Sequence, residues 1–425
     1  MQAKEMKRVL LVLPWDPEEG HNARASNLQR LFAGAGYDAT LLHLRTHKSH
    51  ALSDVIRNSL GFRVAVSRQG SATTIALDPF LNYAPGLNFS TELAADAGKP
   101  VGMRRRLFRL LSPLGLVREA SCLLSLWLYA RRLGRFQWCL GFDAGGAFVA
   151  WMLKRAGRVQ TFVYEDQDYG SLGGSLRREV MADLERRLLK RADLVISVGF
   201  RLAALRRTQT SRPCHVVHNG APLQAFEAAR LKAAGPPTLV FAGNIHTWDG
   251  LDVAIEALPQ IRQRAGAVRL LVVGSGLPPL MDRLRAMAAE RGVSDLVHFL
   301  GSKPHNELPS IFSEAHIGLA HFQPAPFRVF SFPLKVIEYM AAGMPVIATV
   351  DTEAGDLVSR ARCGRSIPFD AGSLAEAVSD LLLDPIRCRE LAENAVAESR
   401  HFGWSEIFAK EVETIASHDP RTGPP

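Results

Sequence analysis

Short runs rich in Val, Leu and Ile recur along this chain, separated by longer stretches of helical period, and they fall into two successive series. The first series includes Val9–Leu13, Thr40–Leu44, Thr161–Tyr164, Leu194–Val198 and His215–Val217; the second starts afresh with Thr238–Ala242, Arg269–Gly274, Val297–Leu300, Ile317–His321 and Val346–Thr349. Strands that are apolar throughout, rather than alternately, are those covered on both faces, which is the signature of parallel sheets flanked by helices. Two series therefore predict an α/β chain of two Rossmann-like, doubly wound domains. At 425 residues the length suits two domains. The Pro- and Gly-containing seam from Pro222 to Pro237 places the boundary between a domain of residues 1–222 and a domain of residues 223–403. Residues 404–418 read as an amphipathic helix crossing back to the first domain, and 419–425 as a tail.

Charge narrows the partners. Lys and Arg number 51 against 42 Asp and Glu, a formal +9. Between Lys99 and Arg135 stand nine basic residues and the single acid Glu119, so one segment holds nearly all the excess. Arg104, Arg105, Arg106 and Arg109, followed by an apolar stretch containing Trp127, combine cations with Leu, Phe and Trp as an interfacial helix does, which predicts attachment to an anionic membrane surface. The alternative is a helix docked on its own domain with solvated arginines. No recognised nucleic-acid motif accompanies the charge, so nucleic acid is not an expected partner. The apolar core of that stretch is about half of the roughly 20 residues a membrane span needs. The five cysteines lack CxxC spacing, so neither a disulfide framework nor a metal site is expected, and the N-terminus lacks a signal-peptide pattern. A cytoplasmic protein, peripheral on the inner face of the membrane, is the expectation.

The stretch Phe330-Ser-Phe-Pro333-Leu-Lys335-Val-Ile-Glu338-Tyr-Met-Ala-Ala-Gly343-Met-Pro345-Val-Ile-Ala-Thr349 carries the chemistry. Pro333 suits the start of a helix, Gly343 the position past its end, and Pro345 prevents continuation before a buried strand. Lys335 and Glu338, three residues apart, share one face near the helix start, where unpaired N–H groups already favour an anion. The spacing alone also fits a solvated surface pair.

Pro333-x-Lys335-x-x-Glu338-Tyr-Met-Ala-Ala-Gly343-x-Pro345-Val-Ile-Ala resembles the donor-binding signature of family 4 glycosyltransferases of GT-B fold, in the variant found in bacterial polysaccharide assembly. Thr238–Asn244 with Gly250–Leu258 is similar to the opening strand, glycine turn and helix of that family's donor domain. Leu270–Gly276, Val297–Gly301, Glu307–Phe312, Arg191–Val198 and His218–Pro222 follow in the family's order, so the resemblance spans most of the chain. Gly274-Ser-Gly276 lacks the third glycine of a dinucleotide fingerprint.

The resemblance implies two domains facing a cleft and a retaining glycosyltransferase that moves a sugar from a nucleoside diphosphate sugar to a polysaccharide precursor, free or lipid-linked, without a further cofactor or metal. A sugar nucleotide already carries its leaving group, so the protein's task is to stabilise the departing diphosphate and orient an acceptor hydroxyl. By resemblance Lys335 and Ser331 meet the diphosphate, Gly243 and Asn244 give close backbone approach, and Glu338 receives the ribose hydroxyls; Arg328, just upstream, is a further phosphate candidate or a solvated loop arginine. Gly20, His21 and Asn22 occupy the place of the family's Gly-rich acceptor-side loop. Asp143 stands beside Phe142, where relatives have a His-Asp pair, and is a candidate for hydroxyl orientation or a helix cap. Glu165, Asp166 and Asp168 form an acidic turn able to orient the acceptor or to cap the loop.

Departures matter too. The family's glutamate eight residues before Glu338 is Phe330 here, and the Arg and Lys usual after the glycine turn are absent from Gly243-Asn-Ile-His-Thr-Trp-Asp-Gly250. Lys335 and Arg328 would then carry more of the neutralisation. The competing readings are a nucleotide-sugar epimerase of the same fold and a catalytically silent nucleotide- or membrane-binding subunit.

Overall fold

The computed structural model describes residues 7–17, 23–45, 62–79, 102–169, 176–232 and 235–419, with the backbone alone for 23, 102–115 and 176–177. The chain divides into two compact units: residues 1–198, 202–217 and 408–425 form one, and residues 199–201 with 218–407 the other.

The first unit is built on an eight-stranded sheet of β1 (Arg8–Leu13), β2 (Asp38–Leu44), β3 (Arg63–Gln69), β4 (Ala72–Asp78), β5 (Phe136–Phe142), β6 (Val159–Asp166), β7 (Leu194–Ser197) and β8 (Cys214–Val216), in the order β3-β4-β2-β1-β5-β6-β7-β8. All pairings are parallel except β3 with β4, an antiparallel edge hairpin. The apolar-run pattern missed β3, β4 and β5. The β3 strand, RVAVSRQ, is exposed along nearly its whole length and so has no reason to be apolar, while β5, FQWCLGF, is buried through aromatic rather than branched aliphatic residues. Leu10 and Val12 of β1, Phe162 and Tyr164 of β6, Leu126 and Leu188 from flanking helices meet in its core.

The second unit carries β9 (Thr238–Ala242), β10 (Arg269–Val273), β11 (Val297–Gly301), β12 (Ile317–Ala320), β13 (Val346–Thr349) and β14 (Gly364–Ile367) in the order β11-β10-β9-β12-β13-β14, parallel throughout. This is the doubly wound order that reverses between β9 and β12. In such sheets ligands bind beyond the carboxyl ends of the strands at the reversal. In the first sheet the reversal lies between β1 and β5. The last helix, Trp404–Ala416, begins in the second unit and ends in the first. Its Glu411 pairs with Arg24 at 2.6 Å, and Asp419 beyond it accepts from Trp138 Nε1 at 2.9 Å and Gln137 Nε2 at 2.7 Å, all within the first unit.

Candidate donor site

At the carboxyl ends of β9, β10 and β11 the chain leaves the sheet through glycine-lined loops that lie side by side. The Gly243 N–H donates to Val273 O, Ile245 N–H to Ser275 O, and Gly274 N–H to Gly301 O. A Cβ on Gly274, whose φ is +141°, would stand 1.8 Å from Gly243 O, so only glycine lets the two loops approach. Gly250 closes the first loop: at φ +73° it abuts His321 O, which a Cβ would meet at 2.0 Å, and it opens the Leu251–Ala265 helix. The loop is also tied to the exit of β12 by a hydrogen bond from Gln323 N–H to Trp248 O. Both sides of the reversal are thereby joined.

The helix that carries the signature runs from Leu334 to Ala341 and buries Val336, Ile337, Tyr339, Met340 and Ala341. Tyr339 pins it to the sheet, its ring against Gly318 and its hydroxyl oxygen accepting from Ala242 N–H at 2.8 Å. Its C-terminal carbonyls are held by cations: Arg230 Nε donates to Ala341 O and Lys232 Nζ to Ala342 O, where burial lowers the Lys232 ammonium to about 8. Tyr339→Phe should leave the Ala242 N–H buried without a partner and destabilise the protein by about 1–3 kcal/mol. Equilibrium urea unfolding reads this, and a change within experimental error would mean that the hydroxyl does not hold the helix.

With those contacts holding it, the helix presents Lys335 and Glu338 one turn apart. The Lys335 ammonium lies 3.9 Å from the Phe241 ring centroid and 5.0 Å from that of Phe322. It also lies against the glycine turn, since a Cβ on Gly243 would be 2.9 Å from Nζ. No carboxylate pairs with it among the described residues. Desolvation, opposed by Asp249 and reinforced by Arg328, lowers it to about 8. Glu338 is nearly buried and accepts from His305 Nε2 at 2.8 Å through Oε1. That bond raises the His305 pKa against the opposing effect of burial. Oε2 has no protein partner among the described residues.

Arg328 comes from the Pro326–Phe330 helix after β12. Its Nη2 donates to Asp249 Oδ1 at 2.7 Å, and its guanidinium lies 4.8 Å from the Phe322 centroid, the ring Lys335 also faces. Asp249 Oδ2 accepts from His246 N–H at 2.8 Å. The His246 ring stacks on Trp248, and burial, opposed by Asp249 and reinforced by Arg328 and Lys335, lowers its pKa. Ser331 follows the Pro326–Phe330 helix with extended backbone and is not itself a helix start; the signature helix begins three residues later, at Leu334. Asn244 is exposed beside Gly243. Phe330 ends the short helix. Thus Gly243, Arg328 and Lys335 come together, with Glu338 on the same helix. Sequence reasoning missed Asp249, His305, Phe241 and Phe322. Only the position of Asp249, immediately before Gly250 in the loop, offered any signal.

The first unit corrects one expectation, that of an available acidic turn. Asp166 is wholly buried, with both oxygens engaged by Arg206 at 2.8 and 2.9 Å and a further bond from Ser197 Oγ, so it is not available to an acceptor. Glu165 is likewise buried against Arg24 at 3.0 Å. A polar loop sequence gives no sign of either, because the arginines lie 40 and 141 residues away. Trp127, expected at a membrane surface, packs against the core of the unit, with Arg131 over its ring at 5.2 Å. Arg104, Arg105, Arg106 and Arg109 lie on the Gly102–Ala130 helix, but their side chains are outside the described residues, as are Gly20, His21 and Asn22 altogether. Asp168 is exposed. Asp143 opens the Asp143–Arg155 helix at the reversal beside β5, in the left-handed region at φ +49°. Its Oδ1 accepts from Gln167 N–H, while desolvation, then Asp168 and Asp166, hold its carboxyl well above the usual range. Among the described residues no group of three or more His, Cys, Asp or Glu side chains is placed to hold a metal ion, and no helix is long and apolar enough to cross a membrane.

Residues 236–384, which contain this whole constellation, match the family described as "Glycosyl transferases group 1". The GDP-mannose-dependent alpha-(1-6)-phosphatidylinositol monomannoside mannosyltransferase of Mycobacterium tuberculosis is 30% identical over 201 residues, 45% of this chain and 50% of that protein. The putative colanic acid biosynthesis glycosyltransferase WcaL of Escherichia coli is 28% identical over 236 residues, 54% of this chain and 58% of that protein. The chain spans about half the length of the curated relatives it matches. Among solved structures, sucrose-phosphate synthase from Thermosynechococcus elongatus superposes with a TM-score of 0.68 at 20% identity, covering 96% of this chain and 98% of that one. HepE from Anabaena, in complex with UDP, gives 0.65 at 17% identity over 97% and 100%. With two parallel sheets and the signature helix in place, residues 236–384 are similar to the group 1 glycosyltransferases, and the chain shares the two-sheet fold of these solved structures.

Proposed function

We propose that the protein is a retaining, nucleotide-sugar-dependent glycosyltransferase that builds a polysaccharide precursor, free or lipid-linked, at an anionic cytoplasmic membrane face. The observation that carries this reading is the Lys335 ammonium, unpaired among the described residues and set against the Gly243 turn at the strand-order reversal, one helical turn from a Glu338 carboxylate with one oxygen unpartnered among the same residues. As the bond from the sugar's anomeric carbon to the diphosphate breaks, negative charge gathers on the leaving oxygen, and a cation already desolvated beside it stabilises that charge without reorganising. Glu338 Oε2 is the acceptor for ribose hydroxyls. The acceptor oxygen forms the new bond on the face the diphosphate leaves, and its proton passes to the departing phosphate. Asp143, which opens a helix at the strand-order reversal of the first unit and whose carboxyl pKa burial raises, is the group we assign to hydroxyl orientation.

Thermal-shift measurement with UDP, GDP, ADP and TDP and their sugars tests the donor site. Stabilisation by at least one nucleoside diphosphate, lost in Lys335→Ala and Glu338→Ala, is the expected result, and no response to any of them removes the reading. Turnover of the donor without an acceptor would favour the epimerase, and binding without turnover the silent subunit.

Support for the membrane face comes from the Gly102–Ala130 helix. Val117, Leu124 and Leu128 are 54%, 51% and 41% exposed, and at 3.6 residues per turn their spacing places them on one stripe, opposite the buried Cys122, Leu126 and Ala130. Leu124→Glu with Leu128→Glu should reduce sedimentation with phosphatidylglycerol vesicles roughly tenfold, by loss of buried apolar area, and leave nucleotide binding unchanged. Undiminished vesicle binding would exclude this face.

A further inference from the structure

Two cations face one aromatic ring in the second unit, and among the described residues only one of them has an ion-pair partner. Lys335 and Arg328 lie 5.0 and 4.8 Å from the Phe322 centroid. Arg328 is held by Asp249, a carboxylate with no solvent exposure, which belongs to the glycine loop that Lys335 also touches. Asp249 spends its second oxygen on the His246 N–H of its own loop, so its position is determined by the loop and not by the arginine. Arg328, in turn, keeps its buried Nε without a hydrogen-bond partner among the described residues. A guanidinium anchored through one Nη and left with an unsatisfied donor is arranged to receive a second acceptor. The Asn244-to-Asp249 stretch itself contains no Lys or Arg.

Resting on the donor-site reading above, we propose that Asp249 is a positioning residue: it fixes Arg328 so that the guanidinium supplies, beside Lys335, the second cation for the diphosphate of the sugar nucleotide. A carboxylate in the loop thus recruits, from the far side of the strand-order reversal, a cation the loop does not itself contain. Arginine suits this because its planar fork can donate to Asp249 and to a phosphate oxygen at once, whereas a lysine ammonium taken by Asp249 offers only a point charge. A second cation matters for a diphosphate and far less for a monophosphate, so the role should be visible as discrimination between the two.

Isothermal titration of the full chain with UDP and GDP, and with UMP and GMP, tests the assignment in Asp249→Asn, Arg328→Lys, Arg328→Ala and the Asp249→Asn/Arg328→Ala double variant. Each single variant should weaken the better-bound nucleoside diphosphate about tenfold or more, with the monophosphate within threefold. The double variant should be no weaker than Arg328→Ala alone, because the two act as one unit. A merely structural role for Asp249 would weaken both nucleotides alike. The proposal is overturned by diphosphate affinity within twofold of wild type in Asp249→Asn and Arg328→Lys, by equal losses for both nucleotides, or by additive effects. Should Asp249→Asn not fold, Arg328→Lys, which keeps the pairing charge, decides by the same ratio. Wild-type protein that binds none of the nucleotides fails the donor-site reading itself, an outcome distinct from variants that bind as wild type does.

Discussion

Lys335→Met is expected to lower turnover about 10²–10³-fold, the loss typical of removing one preorganised donor to developing negative charge, while the ligand-free protein unfolds at the same temperature as wild type or above it. The two halves of that expectation have one cause. Desolvation lowers the ammonium from its ordinary 10.5 to about 8, so its charge is held at a cost to the folded state. The sign of the pH dependence follows. Below about pH 8 both folded and unfolded chains carry the proton and the full cost is present; between about 8 and 10.5 the unfolded chain binds a proton that the folded one has lost, and stability from this group rises with pH. Methionine removes the cost and the function together. Nucleoside diphosphate affinity should fall, in contrast, as pH rises through about 8, because the free site loses the charge the ligand needs. Steady-state rates, calorimetric unfolding and titrations at pH 7 and pH 9 check these points. Turnover within fivefold of wild type, or a lower unfolding temperature with affinity independent of pH, would mean that Lys335 is an ordinary packing lysine.

Glu338→Ala should weaken nucleoside diphosphate binding roughly 10–100-fold, the range for losing hydrogen bonds to a charged group. Its diagnostic is a cycle. Wild-type protein should bind 2′-deoxy or 3′-deoxy nucleotides about tenfold or more less tightly than the ribonucleotide, and Glu338→Ala should not distinguish them. The reason is geometric: His305 occupies Oε1 and holds the carboxylate still, leaving Oε2 as the acceptor. Undiminished discrimination in the variant would assign the hydroxyls to another residue.

Much of the second unit was legible in the residues. Its strands β9, β10, β11, β12 and β13 are short apolar runs, and Pro333, Gly343 and Pro345 delimit a helix that runs from Leu334 to Ala341. The edge strand β14, Gly-Arg-Ser-Ile, was not legible, because an edge strand is buried on fewer sides and need not be apolar. The hairpin edge of the first sheet escaped for the same reason. Within the site, spacing placed Lys335 and Glu338 side by side, since i and i+3 on a helix are neighbours whatever else surrounds them, and the family resemblance marked the pair as a ligand site. The contacts that define their surroundings join residues far apart in sequence: Glu338 to His305 over 33 positions and Arg328 to Asp249 over 79. Asp166 is the converse case. A carboxylate in an acidic turn reads as available, yet it is consumed by Arg206 in the interior.

Hydrophobic patterning and the punctuation of Pro and Gly thus settled by themselves that the chain forms parallel, helix-covered sheets and that a lysine and a glutamate share the start of one short helix. Both are local properties, set by steric limits on the backbone and by the burial of contiguous apolar residues. Only the tertiary structure decided which charges are spent on one another and which are left for a ligand. That choice depends on desolvation and on partners brought together by sheet order, neither of which is encoded within a few residues of the group concerned.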